Sequence, residues 1–167
     1  MSRAEHAASG ADLAGEAGWE PLTPFWESLG TRSFVSSDDT GDRLRVRYYA
    51  GDGRTWARAW FGPGAEGPPG YAHGGALAAL LDEAMGMAVL ATGRIAVAAR
   101  IEVDFRAMVP LGETVTVELA LGEAVGVKVP VRGVLRRADR RTACEASGLF
   151  VEIGADGLGE AAERAGL

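Results

Sequence analysis

Cysteine is nearly absent from this sequence. Its 167 residues include only Cys144, so no disulfide closes within the chain and the thiol suits a reducing compartment. A cysteine nucleophile would want a histidine base, and none stands near Cys144; the plainer reading is a small buried apolar residue. Long hydrophobic runs are missing too. The start, MSRAEHAASGADLAGEAG, lacks the apolar stretch of a secretory signal, and no run reaches a membrane span. The expected location is therefore the cytoplasm, with no membrane partner. Basic charge is also in short supply, with 17 Lys and Arg against 23 acids and a net charge of −6. That argues against nucleic acid, whose phosphates need a basic face. A small anionic ligand stays open, because a few local arginines suffice for one.

What is present describes one soluble domain. Hydrophobic residues make up 47% and charged residues 24% of the chain, ordinary for a globular protein of this length. A core of this size needs neither disulfide nor metal. Residues 1–18 are rich in Ala, Gly and acid, with almost no large apolar group, which predicts a disordered tail. Residues 154–167 are similar and are expected to be a flexible tail that could form a short frayed helix. The domain is expected between them, over residues 19–153.

Within that block, PLTPFWESLG (21–30) spaces Phe25, Trp26 and Leu29 as a short helix. Residues 43–49 alternate, with Leu44, Val46 and Tyr48 opposite Arg43, Arg45 and Arg47, as in a half-buried strand. Residues 54–61 alternate again, with Trp56 and Trp60 on one face, and the Ala-Gly-Asp-Gly between the two segments is hairpin chemistry. Residues 62–75, GPGAEGPPGYAHGG, must be a loop. Residues 76–91 carry apolar groups at helical spacing nearly all round, which predicts a buried helix ended by Thr92-Gly93. Four strands follow, over 95–108, 113–121, 127–137 and 142–153. Strands joined by short turns make an antiparallel sheet, so the expected class is α+β, a sheet around one central helix. One small sheet wraps part of so apolar a helix, and a second subunit could cover the rest.

The stretch richest in chemistry runs from Gly67 to Ala88, GPPGYAHGGALAALLDEAMGMA. His73, Gly74 and Gly75 stand where loop becomes helix. Free N–H groups and the helix dipole favour negative charge there, and glycine lets a ligand approach the backbone. That suits an oxyanion site for a carbonyl under attack. Equally, His73 could simply satisfy a local hydrogen bond at a plain helix start. Asp82 adds weight, because its helical neighbours Ala78, Ala79, Met85 and Gly86 offer it no salt bridge. Glu83 has equally apolar neighbours, so periodicity does not choose between the two acids. His73 and Asp82 are nine residues apart, roughly 13 Å along a helix, too far to share one carbonyl within a chain. A two-fold dimer could bring one subunit's helix start to the middle of the other's helix.

The register EGPPGYAHGGALAALLDEAMGMA, with ARIEVDFRAMVPLGE downstream, resembles the PaaI-like branch of the hotdog thioesterases, in particular thioesterase superfamily members four and five. The resemblance spans about Trp60 to Ile153. It implies a hotdog fold, assembled as a homodimer or dimer of dimers, that hydrolyses an acyl-CoA thioester. No metal or separate cofactor is implied, since coenzyme A is part of the substrate. Asp82 matches the catalytic acid, as general base or nucleophile, and His73 and Gly74 match the groups that polarise the thioester carbonyl. Asp104, Arg106, Val127, Lys128 and Arg132 fall where that subgroup contacts CoA; their plainer reading is a solvated strand face. The run Arg136, Arg137, Arg140 and Arg141 flanks a turn and reads as surface. Two departures stand out. Ala98 occupies the position where the family usually has a Thr or Ser that positions water, and Glu66 and Gly67 stand near a missing Asn or Gln. Two other activities stay open: a thioesterase for acyl chains on a carrier protein, which the same Asp82 chemistry would serve, and a non-catalytic acyl-CoA-binding module, which Ala98 motivates.

Overall fold

The computed structural model describes residues 11–38, 40–154 and 157. In chain order they form β1 (Glu20–Leu22), α1 (Phe25–Ser28), β2 (Leu44–Gly51), β3 (Arg54–Phe61), a 3-10 turn (Pro63–Ala65), α2 (Gly74–Leu90), β4 (Ala96–Phe105), β5 (Thr114–Leu121), β6 (Lys128–Arg136) and β7 (Thr142–Glu152). The strands make one seven-stranded sheet in the order β1-β2-β3-β5-β6-β7-β4, with every pairing antiparallel. One long helix packs on one face of it, the α+β arrangement expected from the element order.

Short-range chemistry fixes the register. Asp52 and Gly53, both at positive φ, connect β2 and β3 in the two-residue turn that matches strand twist. A bulge at Ala98/Arg100 shifts the pairing of β4 with β7. The expected strands all form, each within a few residues of its anticipated bounds, while the three-residue β1 was too short to read by periodicity.

Alternation in β3 separates two faces without saying which turns inward. Ala57, Ala59 and Phe61 join the core, while Trp56 and Trp60 lie on the opposite face. There Trp56 stacks on Trp19 at 4.5 Å, and the Arg45 guanidinium lies 5.0 Å from the Trp60 ring. The small residues face α2 because the helix needs the room. Further along the sheet, a Cβ at Gly148 would sit 3.2 Å from Met85 Sδ, and one at Gly133 would sit 3.3 Å from Leu81. Glycine at these two sheet positions lets the helix seat closely.

The core is dominated by α2. Leu77, Leu80, Leu81, Ala84, Met85, Met87, Ala88 and Val89 are all buried within this single chain. The sheet therefore covers more of the helix than the sequence suggested. Its least covered side carries small residues and one acid: Gly75 and Asp82 are exposed, and Ala78 and Gly86 are half-buried. The helix also starts at Gly74, two residues earlier than expected, because His73 caps it there.

Of the expected N-terminal tail, residues 1–10 lie outside the described residues. Residues 11–18 run along the sheet, where the Tyr49 hydroxyl donates to the Leu13 carbonyl at 2.5 Å. The expected C-terminal tail lies outside the described residues apart from Gly154 and Gly157. Among the described residues, no helix is long and apolar enough to cross a membrane.

Candidate active site

The helix start is built around His73. Its Nδ1 accepts a hydrogen bond from the Gly75 amide at 2.9 Å, so the histidine is the N-cap. Its own amide donates to the Ala65 carbonyl at 2.8 Å, which ties the cap to the preceding loop. With Nδ1 accepting, the neutral ring carries its proton on Nε2. Two donors then remain free, His73 Nε2–H and the Gly74 amide, which has no hydrogen-bond partner among the described residues. The Gly75 amide is already committed. The local-hydrogen-bond reading and the oxyanion reading are thus compatible, since each uses a different ring nitrogen. Gly67 is packed so tightly beneath this turn that a Cβ there would lie 2.8 Å from His73 Cα. Any side chain at residue 67 would push the histidine backbone aside.

Two turns further on, the chain presents its two adjacent acids to one cavity of about 500 Å³. They do opposite things. Tyr48 Oη donates to Glu83 Oε1 at 2.6 Å, and the Ser33 hydroxyl donates to the other oxygen. Glu83 is therefore committed to structure. Asp82 makes no hydrogen bond or ion pair among the described residues. Its side chain is exposed at the cavity mouth, yet the surrounding walls remove enough water to raise its carboxyl above the ordinary aspartate range. An unpartnered carboxylate with a raised proton affinity is the better base of the two. Glu83 is thus taken up by hydrogen bonds, and Asp82 is left open to the cavity.

The same cavity contains Ala98, opposite Phe150 in the sheet register, so the residue at the expected hydroxyl position does face Asp82's space. Ser33 is the only hydroxyl-bearing residue among the described cavity walls. It is not free, since it donates to Glu83 and accepts from the amides of Val35 and Ser36. A second cavity, of about 390 Å³, opens at His73 and Gly75 and shares Phe34, Val35 and Ala79 with the first. His73 and Asp82 thus face neighbouring spaces divided by the loop that carries Phe34.

The CoA candidates lie on the outer face of the sheet, away from α2. Register puts Asp104 level with Glu145, and Arg132 level with Ser147 and Glu102. These residues line a groove of about 290 Å³. Arg106 is tied there by Glu145 at 3.0 Å and Asp104 at 3.4 Å. Lys128 lies toward the other end of β6, level with Val151 and Val97, and Val127 beside it is 53% exposed. The five residues therefore form an elongated row. Within it, Lys128 and Arg132 are without ion-pair partners among the described residues. Of the basic run at the turn, Arg137 holds Glu113 with two half-buried hydrogen bonds, and Arg136 pairs with Glu118 at the surface. Cys144 is fully buried, and burial pushes its thiol up to about 11, which makes it inert at neutral pH.

Sequence reasoning missed Tyr48, Ser33 and Phe34. One signal for Tyr48 was available: its hydroxyl shares a strand face with Leu44, and a buried phenol needs a partner. Nothing in the sequence marks Ser33, which reaches Glu83 from 50 residues away.

Residues 69–144 match the thioesterase superfamily family model. Over 93 residues, 55% of this chain and 38% of the relative, the sequence is 34% identical to acyl-coenzyme A thioesterase THEM4 of Bos taurus. The chain thus spans well under two thirds of the curated relatives it matches most strongly. A solved thioesterase superfamily protein superposes with a TM-score of 0.61 at 30% identity, covering 64% of this chain and 53% of that one. The Escherichia coli PaaI protein superposes with a TM-score of 0.61 at 20% identity, covering 66% and 80%. With its antiparallel sheet around one long helix the chain has the hotdog fold, and its residues 69–144 are similar to the thioesterase superfamily.

Proposed function

We propose that this chain hydrolyses an acyl-CoA thioester to the free acid and CoA. The observation that carries the reading is Asp82, an unpartnered and partly desolvated carboxylate at the mouth of an apolar-walled cavity in a domain similar to the thioesterase superfamily. Asp82 takes a proton from water as the water oxygen bonds to the thioester carbon. The carbonyl oxygen becomes negative and is held by the Gly74 amide and His73 Nε2–H. Collapse of the intermediate breaks the C–S bond, and the departing thiolate takes up the proton from Asp82.

The two halves of this machinery belong to different subunits in the proposed assembly, a homodimer or dimer of dimers. Roughly 13 Å of helix separates His73 from Asp82 in one chain. The sheet ends in β4, a ten-residue strand with an unpaired outer edge. Exposed Val97, Phe105 and Met108 lie on it or just beyond it. Such an edge is a template for pairing with a second copy. Of the five candidate residues, Lys128 and Arg132 have no ion-pair partner among the described residues and suit CoA phosphates. A reducing, cytoplasmic location suits the single free thiol.

Ala98 supports a second reading, a module that binds acyl-CoA without hydrolysing it, because the described residues of the cavity offer no free hydroxyl to hold the water. A thiol-release assay over a panel of acyl-CoA esters separates the two. The thioesterase reading expects CoA release by the native chain and its loss in Asp82→Asn with unchanged circular dichroism. Retained turnover in Asp82→Asn would remove Asp82 from the mechanism. Tight binding with no release over hours would favour the binding module.

A further inference from the structure

The loop between α1 and β2 is held in place by side chains that the chemistry above does not use. Ser33 is its hub. The Ser33 hydroxyl accepts from the Val35 amide at 3.0 Å and the Ser36 amide at 3.4 Å, while the Ser33 amide donates to Ser37 Oγ at 3.0 Å. The Ser37 amide closes back onto the Ser33 carbonyl at 3.2 Å. The loop is therefore a compact turn tied to itself, with Trp26 Nε1 bonded to Ser36 Oγ at 3.2 Å from the α1 side. Among the described residues, its side-chain hydrogen bond to α2 runs from the Ser33 hydroxyl to Glu83. Tyr48, 3% exposed, fixes the other Glu83 oxygen from beneath.

What this latch positions is the wall of the cavity beside Asp82. Phe34 and Val35 line that cavity and the one at His73, and Phe34 is 74% exposed. An aromatic side chain so exposed has little packing of its own to fix it. Its carbonyl accepts from Arg43, whose guanidinium lies 5.0 Å from the ring, and the turn that carries it is held by the Ser33 hydrogen bonds and by Val35, which is buried in the core.

We propose that Glu83 is a positioning residue for substrate selection: through Ser33 it latches the 33–37 turn against α2, fixing Phe34 and Val35 as the outer wall of the acyl cavity and thereby limiting the acyl groups admitted. The proposal rests on the thioesterase reading and deepens it. The acid next to Asp82 in sequence thus shapes the pocket that Asp82 serves. Selection comes from a hydrogen-bonded strap, and the apolar surface of Phe34 and Val35 only transmits it. Loosening the strap lets the wall yield, so longer and bulkier acyl groups gain relative to short ones.

The test is the ratio of kcat/KM for a long-chain and a short-chain acyl-CoA, which does not change if part of a variant is merely unfolded. Ser33→Ala removes the latch and raises the long-to-short ratio about tenfold, a step typical of an altered apolar pocket. Ser33→Thr keeps the hydroxyl and holds the native ratio. Tyr48→Phe is the control: it removes the more deeply buried arm and lowers stability more, yet it leaves the Ser33 bond in place and moves the ratio less. A simply structural role predicts the reverse order. A Ser33→Ala ratio within about twofold of native, in an enzyme that does turn over acyl-CoA, overturns the latch while leaving the thioesterase reading intact. If the native chain releases CoA from no ester, the thioesterase reading falls and the acyl assignment falls with it.

Discussion

The cavity side of α2 and the outer face of the sheet both carry charge, but they manage it differently. On the outer face, acid and base meet in pairs: Arg106 with Glu145 and Asp104, Arg100 with Glu102, Arg136 with Glu118. These pairs are exposed, and each contributes little to stability. On the cavity side, neither acid has an ion-pair partner among the described residues, and Arg94 in the cavity wall pairs with Glu152. Glu83 is satisfied by two hydroxyls, and Asp82 by nothing among the described residues. Burial there raises the proton affinity of Asp82, and of Tyr48 as well, where burial comes first and the neighbouring Glu83 charge and hydrogen bond add to it. A charge left unpaired in a partly desolvated place marks chemistry, whereas a charge paired in solvent marks surface.

The contrast is broken most severely at the helix start. Gly67→Ala places a methyl against the His73 backbone. Displacing the cap by a few tenths of an ångström misaligns both oxyanion donors, and turnover falls by about 10- to 100-fold with the fold retained. Steady-state kinetics beside circular dichroism checks this.

Acid pH probes Asp82 itself. Its raised proton affinity means that the carboxyl is protonated, and useless as a base, at pH values where an ordinary aspartate of about 3.9 has already ionised. The acid limb of kcat/KM therefore lies above the ordinary aspartate range. The sign for stability is opposite to that of a salt-bridged acid. Folding favours protonated Asp82, so its penalty is absent below the unfolded pKa, grows as pH rises toward the folded pKa, and is constant above it. Asp82→Asn removes that dependence, and urea midpoints measured against pH in both proteins reveal the difference.

A stability measurement sharpens the role of Glu83. Tyr48→Phe strips one donor from a carboxylate with no ion-pair partner among the described residues and costs about 1.5–3 kcal/mol in urea unfolding. The smallest effect belongs to the outer face. Lys128→Ala or Arg132→Ala raises KM for acyl-CoA more than Arg106→Ala, because Arg106 is already held by Glu145 and Asp104. The expected difference is several-fold, read from saturation curves at low salt.

Much of the fold was legible in the sequence because it is written in periodicity. The strand alternation, the turn residues and the all-round apolar helix of residues 76–91 each have one plausible local structure. Helix-start chemistry singled out His73, Gly74 and Gly75, and the family resemblance pointed to Asp82 rather than Glu83. The inward face of β3 was not legible: alternation is symmetric, and the requirement that Ala57 and Ala59 face the helix comes from how closely α2 packs. The division of labour between Asp82 and Glu83 was hidden for a related reason. It depends on Ser33 and Tyr48, which are distant in sequence and reach the helix only once the sheet has curved around it.

The most direct test of the central claim, that Asp82 acts together with the partner subunit's helix start, is subunit mixing. Asp82→Asn and His73→Ala chains are each inactive or nearly so alone, and they are unfolded together and refolded at equal concentrations. If the site spans two subunits, half of the dimers are mixed and each has one intact site, so about a quarter of native CoA release returns. Activity no greater than the sum of the separate variants would contradict the account and place both groups in one chain.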